Sequence, residues 1–88
     1  MIEDKITISN KAGLHARAAA RLVEVVNQFE SQFEIGSHEK MVDGKSILSI
    51  MLLAASPGTV LDIKLEGSDE HEAFSAINAL VENKFDEE

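Results

Sequence analysis

Apolar residues recur along this chain with two periods, and each change of period marks a new element. Ile2, Ile6 and Ile8 share one parity with Lys5 and Thr7 between them, so residues 2–8 read as a half-buried strand. Asp4 interrupts that parity and is expected near a sheet end. Asn10-Lys11-Ala12-Gly13 reads as a loop with a permissive glycine. From Ala16 to Phe29 the spacing turns helical, with Ala19, Leu22, Val23, Val26 and Phe29 forming one apolar stripe. Phe33 and Ile35 alternate with Gln32 and Glu34 in a second strand, which the turn Gly36-Ser37-His38-Glu39 links to a short strand at Lys40–Val42. After the turn Asp43-Gly44-Lys45, Ser46 stands where a helix N-cap would, ahead of an apolar run from Ile47 to Ala55. Ser56-Pro57-Gly58 ends that helix in a type II turn.

The clearest alternation follows, with Leu61, Ile63 and Leu65 inward and Asp62, Lys64 and Glu66 outward. A last helix is expected from about Glu70 to Val81, carrying the stripe Ala73, Phe74, Ile77, Leu80 and Val81. Asp69 and Glu72 resemble a capping box at its start, and acids suit that positive helix end. The tail Lys84–Glu88 is expected to fray in part, with Phe85 tucked back. The order is βαββαβα. Three amphipathic helices need a common surface to cover, so the expected architecture is an α+β open-faced β-sandwich. Its four-stranded antiparallel sheet is covered on one face by three helices and wet on the other. Eighty-eight residues make one small domain, residues 1–88.

Charge narrows the function. Eight Lys and Arg against sixteen Asp and Glu give a net charge of −8. Nucleic acid and anionic membrane surfaces are therefore excluded as partners, since both need a basic face. With no cysteine, disulfides, thiolate metal sites and cysteine nucleophiles drop out. The first residues lack the basic and apolar regions of a secretory signal. The run from Ile47 to Ala55 is far too short to span a bilayer, so a cytoplasmic protein with no membrane insertion is expected. The charge is uneven. Lys5, Lys11, Arg17 and Arg21 fall between Lys5 and Val23 without one acid, whereas the segment from Gly67 onward holds seven acids and one base.

Inside the acid-free segment lies Gly13-Leu14-His15-Ala16-Arg17, at a strand-to-helix junction. A helix N-terminus offers unpaired N–H groups and partial positive charge, a natural phosphate site. There the helix dipole disfavours an imidazolium, so His15 is expected neutral and nucleophilic. A phosphoryl group on its ring would meet the N–H groups of Ala16 and Arg17, and the Arg17 guanidinium could pair with it. An exposed capping histidine with basic neighbours is the bland alternative.

Asn10-Lys11-Ala12-Gly13-Leu14-His15-Ala16-Arg17-Ala18-Ala19-Ala20 resembles the active-site segment of the HPr phosphocarrier family of the phosphoenolpyruvate-dependent phosphotransferase system. Gly44-Lys45-Ser46-Ile47 resembles its second motif, Met51–Ala55 its second helix and Gly67-Ser68-Asp69-Glu70 the lead-in to its last one, so the likeness covers almost the whole chain. The resemblance implies that His15 takes a phosphoryl group through Nδ1 from the phosphohistidine of enzyme I and hands it to downstream acceptor proteins. Arg17 would assist at the phosphate. One position departs from the pattern: Ala18 stands where the family usually has proline. Proline fits a helix's first turn, so alanine there implies a looser or shifted helix start with His15 and Arg17 retained. In part of the family the residue matching Ser46 is phosphorylated by a serine kinase, which weakens docking; an N-cap role alone also accounts for a serine there.

The second helix carries more apolar residues than one buried stripe needs. Ile50, Leu53 and Ala54 could face the sheet, leaving Ile47, Leu48, Met51 and Leu52, beside Leu14, as a docking surface for enzyme I and the acceptors. His38 reads as a turn residue and His71 as an exposed one; neither has ligand-like spacing with His15, so no metal and no cofactor is expected. A monomer suffices for such a carrier. The residues alone leave open a small-molecule-binding regulatory α/β domain and a small acyl-phosphate-type hydrolase using Arg17. They also leave open the sugar-uptake or nitrogen-related branch, although Met51–Ser56 and Phe85–Glu88 look somewhat like the latter.

Overall fold

A computed structural model of the chain describes residues 1–37 and 39–86; the expectations for His38, Glu87 and Glu88 fall outside these described residues. The elements run β1 (Ile2–Thr7), α1 (Ala16–Val26), β2 (Gln32–Ser37), β3 (Lys40–Asp43), α2 (Ile47–Met51), β4 (Val60–Glu66) and α3 (Glu70–Glu82), followed by a single 3-10 turn at Lys84–Asp86. The strands form one antiparallel sheet in the order β1-β4-β2-β3, so the most regularly alternating strand lies inside it. Residues facing each other across antiparallel strands share a side of the sheet. Leu65 thus lies between Ile2 and Phe33, and Ile63 between Asp4 and Ile35.

The helices cover that apolar side. Ala18, Ala19, Leu22, Val23 and Val26 of α1 and Ala73, Ile77, Leu80 and Val81 of α3 are buried against Phe33, Ile35, Leu61, Ile63 and Leu65. Each large aliphatic side chain removed from water here contributes about 1.5–3 kcal/mol. The other side of the sheet is a polar ladder. Glu3, Lys64, Glu34 and Asp43 follow one another across the strands, and Lys5 faces Asp62. Its ion pairs, Lys5 to Asp62 at 2.5 Å and Lys64 to Glu3 at 3.6 Å, are solvent-facing and add little stability.

Several elements end elsewhere than their pattern predicts. Asp4 lies mid-strand, opposite Ile63, rather than near a sheet end. Because β1 is an edge strand, this carboxylate stays in water and its Oδ1 accepts the Lys5 backbone N–H at 2.7 Å. The first helix stops at Val26, and Phe29 packs on the core from the turn beyond. Strand β2 runs on through Gly36 and Ser37, which pair with Met41 and Lys40. The apolar run after Ser46 is helical only to Met51, not to Ala55. There the bonds tighten, Leu53 N–H to Ile50 and Ala54 N–H to Met51, and Ala54 enters the left-handed region with φ 52°.

The capping box at Asp69 and Glu72 does not form. Asp69 has no side-chain bond to its own helix. Its carboxylate instead reaches across to the loop just before β2, accepting the backbone N–H groups of Glu30 and Ser31 and the hydroxyl of the buried Ser31. Glu70 accepts the Gly67 N–H at 3.1 Å and pairs with the Met1 amino group at 2.9 Å. Other turns form as expected. Thr59 N–H bonds the Ser56 carbonyl at 3.0 Å across a Pro57-Gly58 turn with Gly58 at φ 91°, and Phe85 is buried.

Candidate functional site

Where the chain leaves edge strand β1, it is held on both sides. Ile8 exchanges backbone hydrogen bonds with the 58–59 turn, donating to Thr59 and accepting from Gly58. Asn10, fully buried, closes the next loop: its carbonyl accepts the Gly13 N–H, and its side-chain amide donates to the Gly13 carbonyl at 2.8 Å. Gly13 takes φ 70°, and a Cβ there would stand 2.5 Å from the Ala55 carbonyl oxygen. Only glycine allows that approach. The same carbonyl accepts the Leu14 N–H at 2.9 Å. Asn10 and Ala55 were not singled out by the sequence pattern as part of the site; Gly13, as a sign of close backbone approach, was the available signal.

His15 is the N-cap of α1, with extended backbone, and its carbonyl accepts the Ala19 N–H at 2.8 Å. The helix therefore starts directly at Ala16 with its first intrahelical bond made, and Ala18, in the place of the family's proline, is fully buried in the first turn. The His15 Nδ1 accepts the Arg17 backbone N–H at 3.3 Å. That assigns the lone pair, not a proton, to Nδ1 and aims it at the helix N-terminus. The first turn of α1 contains no acid.

Two arginines one turn apart on α1 have different fates. Arg21 is committed: Nε donates to Asp86 at 2.8 Å and a terminal nitrogen to Glu24 at 2.5 Å. The Asn83 amide and Arg21 together hold the Asp86 carboxyl below its ordinary range. Arg17 is exposed, and its guanidinium has no hydrogen-bond or ion-pair partner among the described residues. The positive character read from the acid-free segment thus rests less on Arg21 than its composition implied.

The apolar residues of α2 divide as follows. Ile50 is buried and Leu53 half-buried, while Ala54, expected toward the sheet, is exposed by the left-handed turn. Ile47, Leu48, Met51 and Leu52 are exposed, Leu48 by 67% and Leu52 by 74%. Leu14, expected in that surface, is only 4% exposed; it belongs to the core and supports the loop from beneath. The Ser46 Oγ accepts the Ser49 N–H at 3.2 Å as the α2 cap. His71 is exposed in the first turn of α3. Among the described residues no three acidic or histidine side chains come together to hold a metal, and no helix is long and apolar enough to cross a membrane. Three hollows among the described residues lie along the α1–α3 groove and on the polar side of the sheet, and His15 lines none of these three.

His15 is half-buried at the start of α1, and the apolar side chains of α2 are exposed; comparison with known proteins places the whole chain in a family. The family model described as the PTS HPr component phosphorylation site matches residues 2–83. The phosphocarrier protein HPr of Xylella fastidiosa is 46% identical over 88 residues, covering all of this chain and 99% of that one. The crystal structure of HPr-C-His from Thermoanaerobacter tengcongensis superposes with a TM-score of 0.93 at 46% identity, over 100% of this chain and 99% of that one. A crystal structure of an HPr dimer from the same organism matches with a TM-score of 0.76 at 46% identity, over 97% and 98% of the two chains. On a likeness that runs the length of the molecule in both sequence and fold, this chain belongs to the HPr family of phosphocarriers of the phosphotransferase system.

Proposed function

We propose that His15 is the residue that carries the phosphoryl group, through Nδ1. The observation that carries this reading is the bond from the Arg17 N–H to that nitrogen at 3.3 Å. It marks Nδ1 as the unprotonated nitrogen, and at this length it is weaker than an ordinary N–H hydrogen bond near 2.9–3.0 Å and cheap to give up. The Nδ1 lone pair attacks the phosphorus of the donor's phosphohistidine. A new N–P bond forms as the donor's N–P bond breaks, and its electron pair returns to the donor imidazole. The Arg17 N–H then turns from the ring nitrogen to a phosphoryl oxygen, the Ala16 N–H lies beside it, and the Arg17 guanidinium pairs with the new charge. The site stabilises the phosphoryl group only moderately, because a tightly held group would not pass on.

Enzyme I and the downstream acceptors dock on Ile47, Leu48 and Met51 of α2 and on Leu52 just after it. A serine kinase acting on Ser46 is the regulatory partner in this reading. Phosphorylation there would set about −1.5 to −2 charges beside that apolar surface and oppose docking. The chain acts as one cytoplasmic domain, residues 1–88, and as a monomer, in keeping with a core closed within a single copy. Sedimentation at micromolar concentration tests the monomer: a stable dimer contradicts it.

The decisive test is incubation with enzyme I and phosphoenolpyruvate. An acid-labile, base-stable phosphate should appear on the protein and vanish in His15→Ala. If none forms, or if it survives that substitution, the assignment of His15 is wrong.

A further inference from the structure

One strained backbone position next to the site is left unused by the phosphoryl chemistry. Ala54 adopts φ 52°, although it is exposed and nothing about its side chain calls for that conformation. The left-handed region suits glycine and tolerates asparagine, while alanine enters it at a cost and β-branched residues are genuine outliers there. Ala54 lies between two features already described. Before it, the Ala54 N–H bonds Met51, the last residue of α2. After it, Ala55 is buried and its carbonyl takes the Leu14 N–H, one residue before His15, in the space that Gly13 leaves open.

We infer that Ala54 is a positioning residue for phosphoryl transfer. Its left-handed backbone turns the Ala55 carbonyl onto the Leu14 N–H and so fixes the loop that presents His15. This rests on His15 being the phosphoryl acceptor. A regular helix continuing through residue 54 would send the Ala55 carbonyl along the helix axis toward residue 59 instead. Leu14 is anchored in the core by its side chain, so the Ala55 carbonyl sets the remaining freedom, the tilt of the peptide ahead of the histidine. The strain is retained because this bond and the burial of Ala55 over-determine the turn. The surface that meets partners and the atom that reacts are thereby joined through one residue.

The test compares Ala54→Gly and Ala54→Asn, which suit the left-handed backbone, with Ala54→Val, which does not. Asparagine and valine are of similar size, so a difference between them reports the backbone and not side-chain contact with a partner. Two measurements are made on the full chain: hydrogen exchange of the Leu14 amide without any partner, and steady-state phosphorylation by enzyme I and phosphoenolpyruvate. In Ala54→Val the Leu14 amide should lose about tenfold in protection, equivalent to a single hydrogen bond. Its kcat should fall about 10- to 100-fold, as misplacement of a reacting group does, with KM for this protein within about twofold. The Gly and Asn variants should match the parent in both. Wild-type kcat in Ala54→Val, a rise in KM alone, or equal loss in Asn and Val overturns the inference. Unchanged Leu14 protection in Ala54→Val also overturns it, without reference to phosphorylation. Failure of the parent protein to form phosphohistidine would instead sink the assignment of His15.

Discussion

Helices α1 and α3 begin in opposite ways, and the contrast separates the working end of the molecule from its framework. At the start of α3 two acidic groups near the positive helix end, Asp69 and Glu70, are committed, and a third, Glu72, lies exposed in the first turn. Asp69 holds Glu30 and Ser31 of the loop before β2, and Glu70 holds Gly67 and the Met1 amino group. At the start of α1 the capping group is an imidazole, joined to Arg17 by one long bond, with no acid in the first turn and an uncommitted guanidinium beside it. Both ends offer the same unpaired N–H groups and the same partial charge. What differs is whether the sequence places permanent anions beside that charge. In the proposed reading, the α1 start is kept for a visiting phosphoryl group by withholding carboxylates and capping with a weak, replaceable acceptor.

That contrast can be broken from either side. The largest effect is expected from His15→Ala, which should abolish phosphorylation by enzyme I while lowering stability by only about 1 kcal/mol, the usual cost of losing an N-cap; phosphate incorporation and urea unfolding measure the two. Next, Leu48→Asp should raise KM for phosphorylation at least tenfold with little change in Tm, because the side chain is mostly exposed and its role is contact. Equal falls in kcat and Tm would place Leu48 in the framework instead. Removing a framework hydrogen bond with Ser31→Ala should cost about 1–2 kcal/mol and leave the rate of phosphorylation unchanged, since it removes a buried hydroxyl from Asp69.

The pH response gives a smaller effect. The Ser31 hydroxyl, followed by the Glu30 N–H, holds the Asp69 carboxyl below its ordinary value. Folding thus favours its charged form, so this stabilisation is complete above the ordinary aspartate range, near pH 4, and is lost as pH falls through the lower folded value. In thermal melts between pH 7 and 2, Asp69→Asn should start less stable and lose less on acidification than the parent. Parallel curves would show that the carboxylate's charge contributes nothing. No comparable acid-dependent loss should map to the start of α1, where no carboxylate is present.

Regular elements were legible because burial leaves a period in the sequence. Leu61, Ile63 and Leu65 mark β4 to the residue, and the stripe through Ala73, Ile77, Leu80 and Val81 marks α3. The place of His15 was legible for a similar reason: loop, glycine and helix stripe meet at one point. The breaks were not. Nothing in Met51-Leu52-Leu53-Ala54-Ala55 announces a left-handed residue, since alanine favours helix, and the turn is imposed by Ala55 bonding a loop some forty residues away. Leu14 looks like a surface anchor beside His15, yet it fills space beneath α1 and α2 that only the assembled sheet defines. Asp69 fits a local capping rule, but the strand start at Ser31 competes for it and offers three donors at once.

The turn at Lys84–Asp86 has a practical consequence. Three successive residues there take positive φ, 53°, 57° and 63°, with Phe85 buried and Asp86 tied to Arg21, one helical turn beyond Arg17. The chain has no tryptophan or tyrosine and four phenylalanines, so it is nearly silent in ordinary fluorescence. Fluorinated phenylalanine would give it four reporters, and the one at position 85 is buried in the core within a turn that meets α1. Its resonance should register any shift of that helix during phosphoryl exchange, which makes this corner a built-in strain gauge for the carrier at work.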